Sequence, residues 1–383
     1  AFPMTTLWGY GNPANPATFN NPAFTFEVTK DTMTTVKWIN DLTDDAGNYL
    51  THVLTDALGN PIIDQTLHWA APNQDCRNGV QGPEGETDCR GASADPYLGP
   101  IPMVVHVHGA HVGPESDGYP EAWWLPAANN IGGYATEGSL ANGYGVTNTG
   151  GGVGAFSYPN TQPSTTLWYH DHTLGMTRNN VYAGPAGFWL IREPGGGETG
   201  LVAGTLPGPA PAPGDQVFDL NVPGNPVRNA IREIPIVIQD RAFNANGAEL
   251  FYPANRAFFE GLTGGQTSNN NPGGEPGLNI DFFGTGDSDI APIWNPEAFF
   301  NVMVVNGVSW PELEVAPAIY RFRLLNGSNS RFLNLAMFRV GKNGVLDREV
   351  PFYQIGAEQS LMPEVVRIET GLATPLPGDE RDV

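Results

Sequence analysis

The chain reads as an all-β protein, and three observations carry that reading. Glycine (48) and proline (35) exceed a fifth of the 383 residues, a punctuation that breaks helices and suits short strands joined by turns. Apolar residues reach 40%, with nine Trp and nineteen Phe, more packing material than an unfolded chain carries. Apolar/polar alternation, the period of a half-buried strand, recurs along the chain.

The elements follow in order. Phe24–Lys30 alternates strictly, and Thr34–Asn40 follows it. Met103–His108, Thr165–His172 and Gly187–Arg192 are the next strand signals, separated by long Gly/Pro/Asn-rich loops such as Gly132–Gly154. Loops of that length in a compact unit usually carry function or cover something. Residues 194–215 are rich in Gly and Pro and read as a semi-rigid spacer. Further strands are expected at Ile234–Asp240, Phe300–Val305, Ile319–Leu325, Phe332–Val340 and Pro351–Ile355, with Gly264–Asn279 a loop. The length suits two domains, residues 1–193 and 216–383. Nothing near Asp379–Val383 resembles a closing strand, so the second unit is expected to be unfinished within this chain.

Charge narrows the partners. Forty acidic against eighteen basic side chains give a net charge of −22, a field that repels nucleic acid and anionic membranes. No run of 18 apolar residues marks a membrane span. The chain opens Ala1-Phe2-Pro3 without a Met, as after removal of a signal peptide, although other trimming gives the same start. Cys76 and Cys89 are expected to pair, closing a short loop worth roughly 3 kcal/mol. Such a bridge agrees with an oxidising compartment, secreted or periplasmic.

The chemistry concentrates in histidine. Only seven occur, and four form two H-x-H pairs, His106-Val107-His108 and His170-Asp171-His172. Residues two apart on a strand share a face, with Cα atoms about 6.7 Å apart. Val104, His106 and His108 therefore share one face, as do Thr166, Trp168, His170 and His172. Two such strands brought together put four imidazoles around one cavity, a donor set suited to copper or zinc. One pair can serve two ions about 3.5–4 Å apart. Surface histidines on an edge strand are the bland alternative, and two pairs in so histidine-poor a chain weigh against it. His52 and His68 have no such partners and read as structural or exposed. His111 lies near the cluster loop without being counted a ligand. Asp117 stands before Gly118, where a turn residue fits. Trp168 most simply fills the core, and Asp171 is either a hydrogen-bond acceptor behind the histidines or solvated.

These residues carry a resemblance. His106-Val107-His108-Gly109, Asp117–Trp123, Leu167–His172 and Asn180–Gly184 resemble the first cupredoxin domain of multicopper oxidases, nearest the branch of bacterial spore-coat laccases and bilirubin oxidases. Ile238–Arg241, Val305-Asn306-Gly307 with Trp310-Pro311, and Tyr320–Asn326 resemble that branch's middle domain. The resemblance implies tandem cupredoxin-like Greek-key β-sandwiches. It implies that His106 binds a type 2 copper and that His108, His170 and His172 bind a type 3 pair. It places at Asp117 an acid that manages protons for oxygen reduction. The implied activity couples one-electron oxidation of phenols or similar donors to reduction of O2 to water.

The chain also departs from that pattern. No histidine follows His172 and no cysteine follows Cys89, whereas the family's third domain adds H-x-x-H-x-H and His-Cys-His motifs. The remaining cluster ligands and the type 1 copper are therefore expected from a C-terminal fragment or second chain. Two rivals fit less well. A cupin's G-x5-H-x-H needs a glycine one residue nearer than Gly99, and Val112 and Gly113 stand where it wants Glu. An amidohydrolase barrel needs later histidines that do not exist here. A non-catalytic copper-binding or delivery protein remains the alternative of a different class.

Overall fold

A computed structural model describes residues 4–55, 59–63, 97–132, 134, 136–138, 140–141, 151–208, 230–245, 247–252, 300–342, 344 and 346–369. Cys76, Cys89 and His68 lie outside the described residues, as do the expected loop at 264–279 and the join from the linker into residue 216.

The architecture is all-β, as expected, with one short α-helix among the described residues. The first block contains β1 (Ala23–Thr29), β2 (Thr34–Ile39), β3 (Val105–His108), β4 (Val153–Tyr158), β5 (Thr165–Asp171), α1 (Thr177–Tyr182) and β6 (Ala186–Arg192). One sheet has the order β1-β6-β5-β3, in which β1 runs parallel to β6 and the other pairs are antiparallel. The second layer pairs β2 with β4. Strand β4 falls inside the expected Gly132–Gly154 loop and beyond it, because Gly151-Gly152 takes φ of +94° and +73° and turns the chain into a strand.

Alternation in the sequence becomes a sandwich core. Trp38 on β2 and Tyr158 on β4 face Tyr169 on β5 and Trp189 on β6, with Phe26 of β1 between. The Trp38 and Tyr169 rings lie 5.5 Å apart, and those of Tyr158 and Trp189 4.7 Å. Each such contact adds about 0.5–1.5 kcal/mol beyond the area it buries. The polar tips are also satisfied: Trp38 Nε1 donates to the Tyr158 hydroxyl, and Tyr169 Oη donates to the Phe24 carbonyl. The aromatic content thus fills the space between two layers.

The second block contains β7 (Glu233–Arg241), β8 (Val302–Val305), β9 (Val308–Ser309), β10 (Arg321–Asn326), β11 (Phe338–Val340), β12 (Leu346–Glu349), β13 (Phe352–Ala357) and β14 (Ser360–Ile368). Its main sheet runs β10-β7-β8-β9, beside the hairpins β11-β12 and β13-β14. The expected strand at Phe332–Val340 shrinks to β11, and Phe332 is 96% exposed, packed on no layer among the described residues. Strand β14 was not anticipated; Pro363 within it hid the pattern.

Two features join the blocks. Every residue of β6 except Arg192 is buried: Trp189 and Ile191 enter the sandwich core, while Phe188 and Leu190 pack on Val237 of β7. Behind them lies a buried ionic cluster. Arg192 meets Glu233 at 2.9 Å, Arg321 meets Glu198 at 2.9 Å, and Arg323 binds both acids. Arg323 also donates to Thr166 Oγ1 on β5 at 2.7 Å. Burial pushes the Glu198 and Glu233 carboxyls up, but the arginine charges prevail and hold both below their ordinary value.

Candidate metal centre

Strands β3 and β5 are neighbours, and their register sets His106 opposite His170 and His108 opposite Trp168. Val105, Val107, Leu167 and Tyr169 face the core and are buried, so the alternate residues must face outward together. All four imidazoles gather there. Ring centroids lie 4.7 Å apart for His106–His172, 5.5 Å for His106–His170, 5.6 Å for His106–His108 and 5.7 Å for His170–His172. Among the described residues, His106, His108 and His170 offer ring nitrogens that all lie within 4.8 Å of one another. His172 stands beside them, stacked on His106.

The hydrogen bonds fix which nitrogens are free. Nδ1–H of His106 donates to the Asp117 carbonyl at 2.5 Å, that of His170 to the Asp171 carbonyl at 2.6 Å, and that of His172 to the Gly118 carbonyl at 3.0 Å. A ring nitrogen held by a carbonyl commits the proton there and leaves Nε2 with a lone pair for a metal. His108 differs: its Nδ1 lies 3.4 Å from His170 Nε2. Two nitrogens bound at about 2.0–2.1 Å to one tetrahedral ion stand roughly 3.3 Å apart, so this pair fits a shared first-row metal.

Electrostatics favour the neutral rings that metals require. Burial pushes the His170 imidazole down to about 3, against the opposing carbonyl of Asp171 and with help from the neighbouring rings. Burial, then the neighbouring His106, lowers His108 and His172 as well.

The turn after β3 completes the wall. A 3-10 turn at Pro114–Ser116 ends at Asp117, and Gly118 follows with φ +78°. A Cβ at Gly118 would sit 2.2 Å from the Val105 carbonyl, so only glycine admits this close approach. Asp117 is a turn residue and also an acid beside the rings: its carboxylate reaches within 3.3 Å of His106 Nδ1 and is 47% exposed.

Other expectations resolve as follows. Trp168 does not fill the core; it lies outward and stacks on His170 at 4.2 Å and on His108 at 5.4 Å, because its face is the histidine face. Asp171 is not solvated: it is 1% exposed and accepts several hydrogen bonds. His52 is buried and structural, bonded to Asn180 and packed on Trp8. His111 shapes the loop through its backbone N–H, which donates to Gln162. Reading the sequence gave no role to Asn180. It opens the Asn180–Gly184 stretch that carries the resemblance and sits on α1, nine residues past Asp171, but nothing local ties it to that aspartate.

The chain is similar in sequence to laccases and other multicopper oxidases. The chain is 30% identical to a laccase of Bacillus subtilis over 368 residues, covering 96% of this chain and 48% of that protein. It is 29% identical to a laccase of Bacillus stratosphericus, over 95% of this chain and 48% of the relative. A rice multicopper oxidase is 29% identical over 72% of the chain and 34% of its own length. The chain thus spans about half the length of the curated laccases it matches. No family model matches it. Among solved structures, the McoA multicopper oxidase from Aquifex aeolicus aligns with a TM-score of 0.44 at 14% identity, covering 96% of this chain and 54% of that one.

Proposed function

We propose that the chain, similar in sequence to bacterial laccases, is the N-terminal portion of a laccase-like multicopper oxidase. The observation that carries the proposal is the meeting of four imidazoles from two adjacent strands, three of them with Nδ1 fixed on a backbone carbonyl. In this reading His106 holds a type 2 copper, and His108, His170 and His172 hold a type 3 pair. The remaining ligands and the type 1 copper come from a C-terminal fragment or second chain bearing a third cupredoxin domain.

Copper, when bound, supplies the one-electron steps by which a phenol or similar donor is oxidised and O2 is reduced to water. The chain's own residues supply geometry and protons. The carbonyls of Asp117, Asp171 and Gly118 orient three rings, and burial lowers the His170, His172 and His108 imidazoles, which favours the unprotonated donor. Trp168 packs flat on two of the rings. Asp117, half-exposed and beside His106, is positioned to pass protons from water toward the centre. A secreted or periplasmic location and a Cys76–Cys89 bridge belong to the same proposal.

Metal content of the purified material, with a denaturing gel to count polypeptides, tests it. Three or four coppers accompanied by a second polypeptide support the oxidase. One copper or none on a lone chain overturns it in favour of a binding or delivery protein.

A further inference from the structure

Behind the histidines, on the opposite side of β5, runs a second polar assembly. Asp171 lies between His170 and His172 and points to the opposite side of β5, where it is 1% exposed. Its Oδ2 accepts the Val104 N–H at 3.3 Å and the Thr173 hydroxyl at 3.0 Å. Its Oδ1 accepts the Thr173 N–H and an Asn180 Nδ2–H, each at 3.0 Å. Val104 leads directly into β3, and its carbonyl in turn accepts the His172 N–H at 2.8 Å. One carboxylate therefore ties the lead-in of the first histidine strand to the end of the second.

The assembly extends two residues further, and the orientations of His52 and Asn180 are fixed. The Leu54 N–H donates to His52 Nδ1 at 3.1 Å, so the His52 proton resides on Nε2. That Nε2–H donates to Asn180 Oδ1 at 3.2 Å, which sets the Asn180 amide with its nitrogen toward Asp171. The same nitrogen donates to the Pro102 carbonyl at 3.1 Å, fastening the segment just before β3. His52, Asn180 and Thr173 are each at most 6% exposed. The buried line from His52 through Asn180 to Asp171 holds one geometry, since reversing the Asn180 amide leaves its nitrogen facing the His52 N–H and its oxygen facing the carboxylate.

We propose that Asp171, oriented by Asn180 and His52, is a positioning residue that sets the relative placement of the two histidine pairs and hence the metal affinity of the site. The inference rests on the copper-oxidase reading only for the identity of the ion. Groups that support ligands from behind typically change metal affinity by roughly 10–100-fold when altered. The four clustered histidines, His106, His108, His170 and His172, remain in place in every variant below.

The test compares Asp171→Asn, Asn180→Ala, His52→Leu and His52→Gln with the wild type, all in the purified protein and well below each melting temperature. Gln at position 52 keeps a donor toward Asn180, whereas Leu does not. Expected are copper affinities about 10–100-fold weaker for the first three, an altered copper EPR signal, and recovery toward wild type in His52→Gln. In metal-free protein, long-range 1H–15N spectra of the imidazoles should show Nδ1–H at His106, His170 and His172, with mixed tautomers in Asp171→Asn. Lower melting temperatures with unchanged affinity, EPR signal and tautomers would make the assembly merely structural and overturn the proposal. Should Asp171→Asn fail to fold, Asn180→Ala and His52→Leu decide. Should the wild type bind no copper, the oxidase reading falls, and the metal-free spectra still decide this one.

Discussion

His108 Nδ1 and His170 Nε2 face each other at 3.4 Å across the β3–β5 pairing. Neighbouring strands in register bring one ring from each pair to a single point, and the remaining two rings flank it. The site is thus a property of strand pairing, and its disruption has several routes.

Removing a ring is the most direct. If the proposed oxidase reading holds, His170→Ala costs at least one copper ion per molecule and abolishes oxygen consumption by the assembled enzyme, because His170 is the ring that closes the trio with His106 and His108. Unchanged copper stoichiometry and turnover would refute its role as a ligand.

Asp117→Asn keeps the turn and its carbonyl bond to His106 while removing the exposed carboxylate. In the assembled enzyme, reoxidation by O2 should slow by roughly 10²–10⁴-fold, the usual contribution of a positioned acid or base, while reduction by the donor is spared. Stopped-flow traces with equal loss in both halves would count against a proton role.

Gly118→Ala tests the wall of the site without touching a ligand. The substituent would meet the Val105 carbonyl at 2.2 Å in a left-handed turn, so the variant should lose on the order of 1–3 kcal/mol and weaken copper binding. Chemical denaturation with parallel metal titration reads both.

Glu233→Gln should destabilise the protein by about 3–5 kcal/mol, since it leaves Arg323 and Arg192 with less charge than their burial demands. Both Glu198 and Glu233 titrate below their ordinary value in the native state. Their stabilisation is therefore present above roughly pH 4.3 and is lost as pH falls further. Urea midpoints measured from pH 6 to pH 3 should drop in the wild type and drop less in the variant.

His52 gives a second pH signature. Burial pushes it down to about 3, only partly opposed by its bond to Asn180, against about 6.5 when unfolded. Between those values the unfolded chain holds one more proton, so stability falls as pH falls. The stability difference between wild type and His52→Gln should grow by about 1.4 kcal/mol per pH unit from pH 4 to pH 6. A flat difference would mean that the ring is not held neutral.

The residues show why some of this was legible in sequence and some was not. The H-x-H pairs announce themselves because strand periodicity turns a two-residue spacing into a shared face, and the core side of β3 and β5 confirms it with Val105, Val107, Leu167 and Tyr169. Trp168 misleads because an aromatic ring on a strand is usually core, yet position parity already placed it with the histidines. The link of Asn180 and His52 to Asp171 was out of reach, although Asn180 opens a stretch that carries the resemblance: 9 and 119 residues separate them from Asp171 along the chain, and only folding makes them neighbours. Strand β14 was obscured by a single Pro363.

Strand β6 is clad on both sides, by the sandwich core on one and by Val237 on the other. A wall common to two rooms cannot be taken down for one of them alone. Since β5 hangs on β6 and carries Thr166 to the arginines at one end and His170 to the metal centre at the other, loosening of the second block reaches the histidines through a single rigid strand. The two blocks should therefore melt as one cooperative unit.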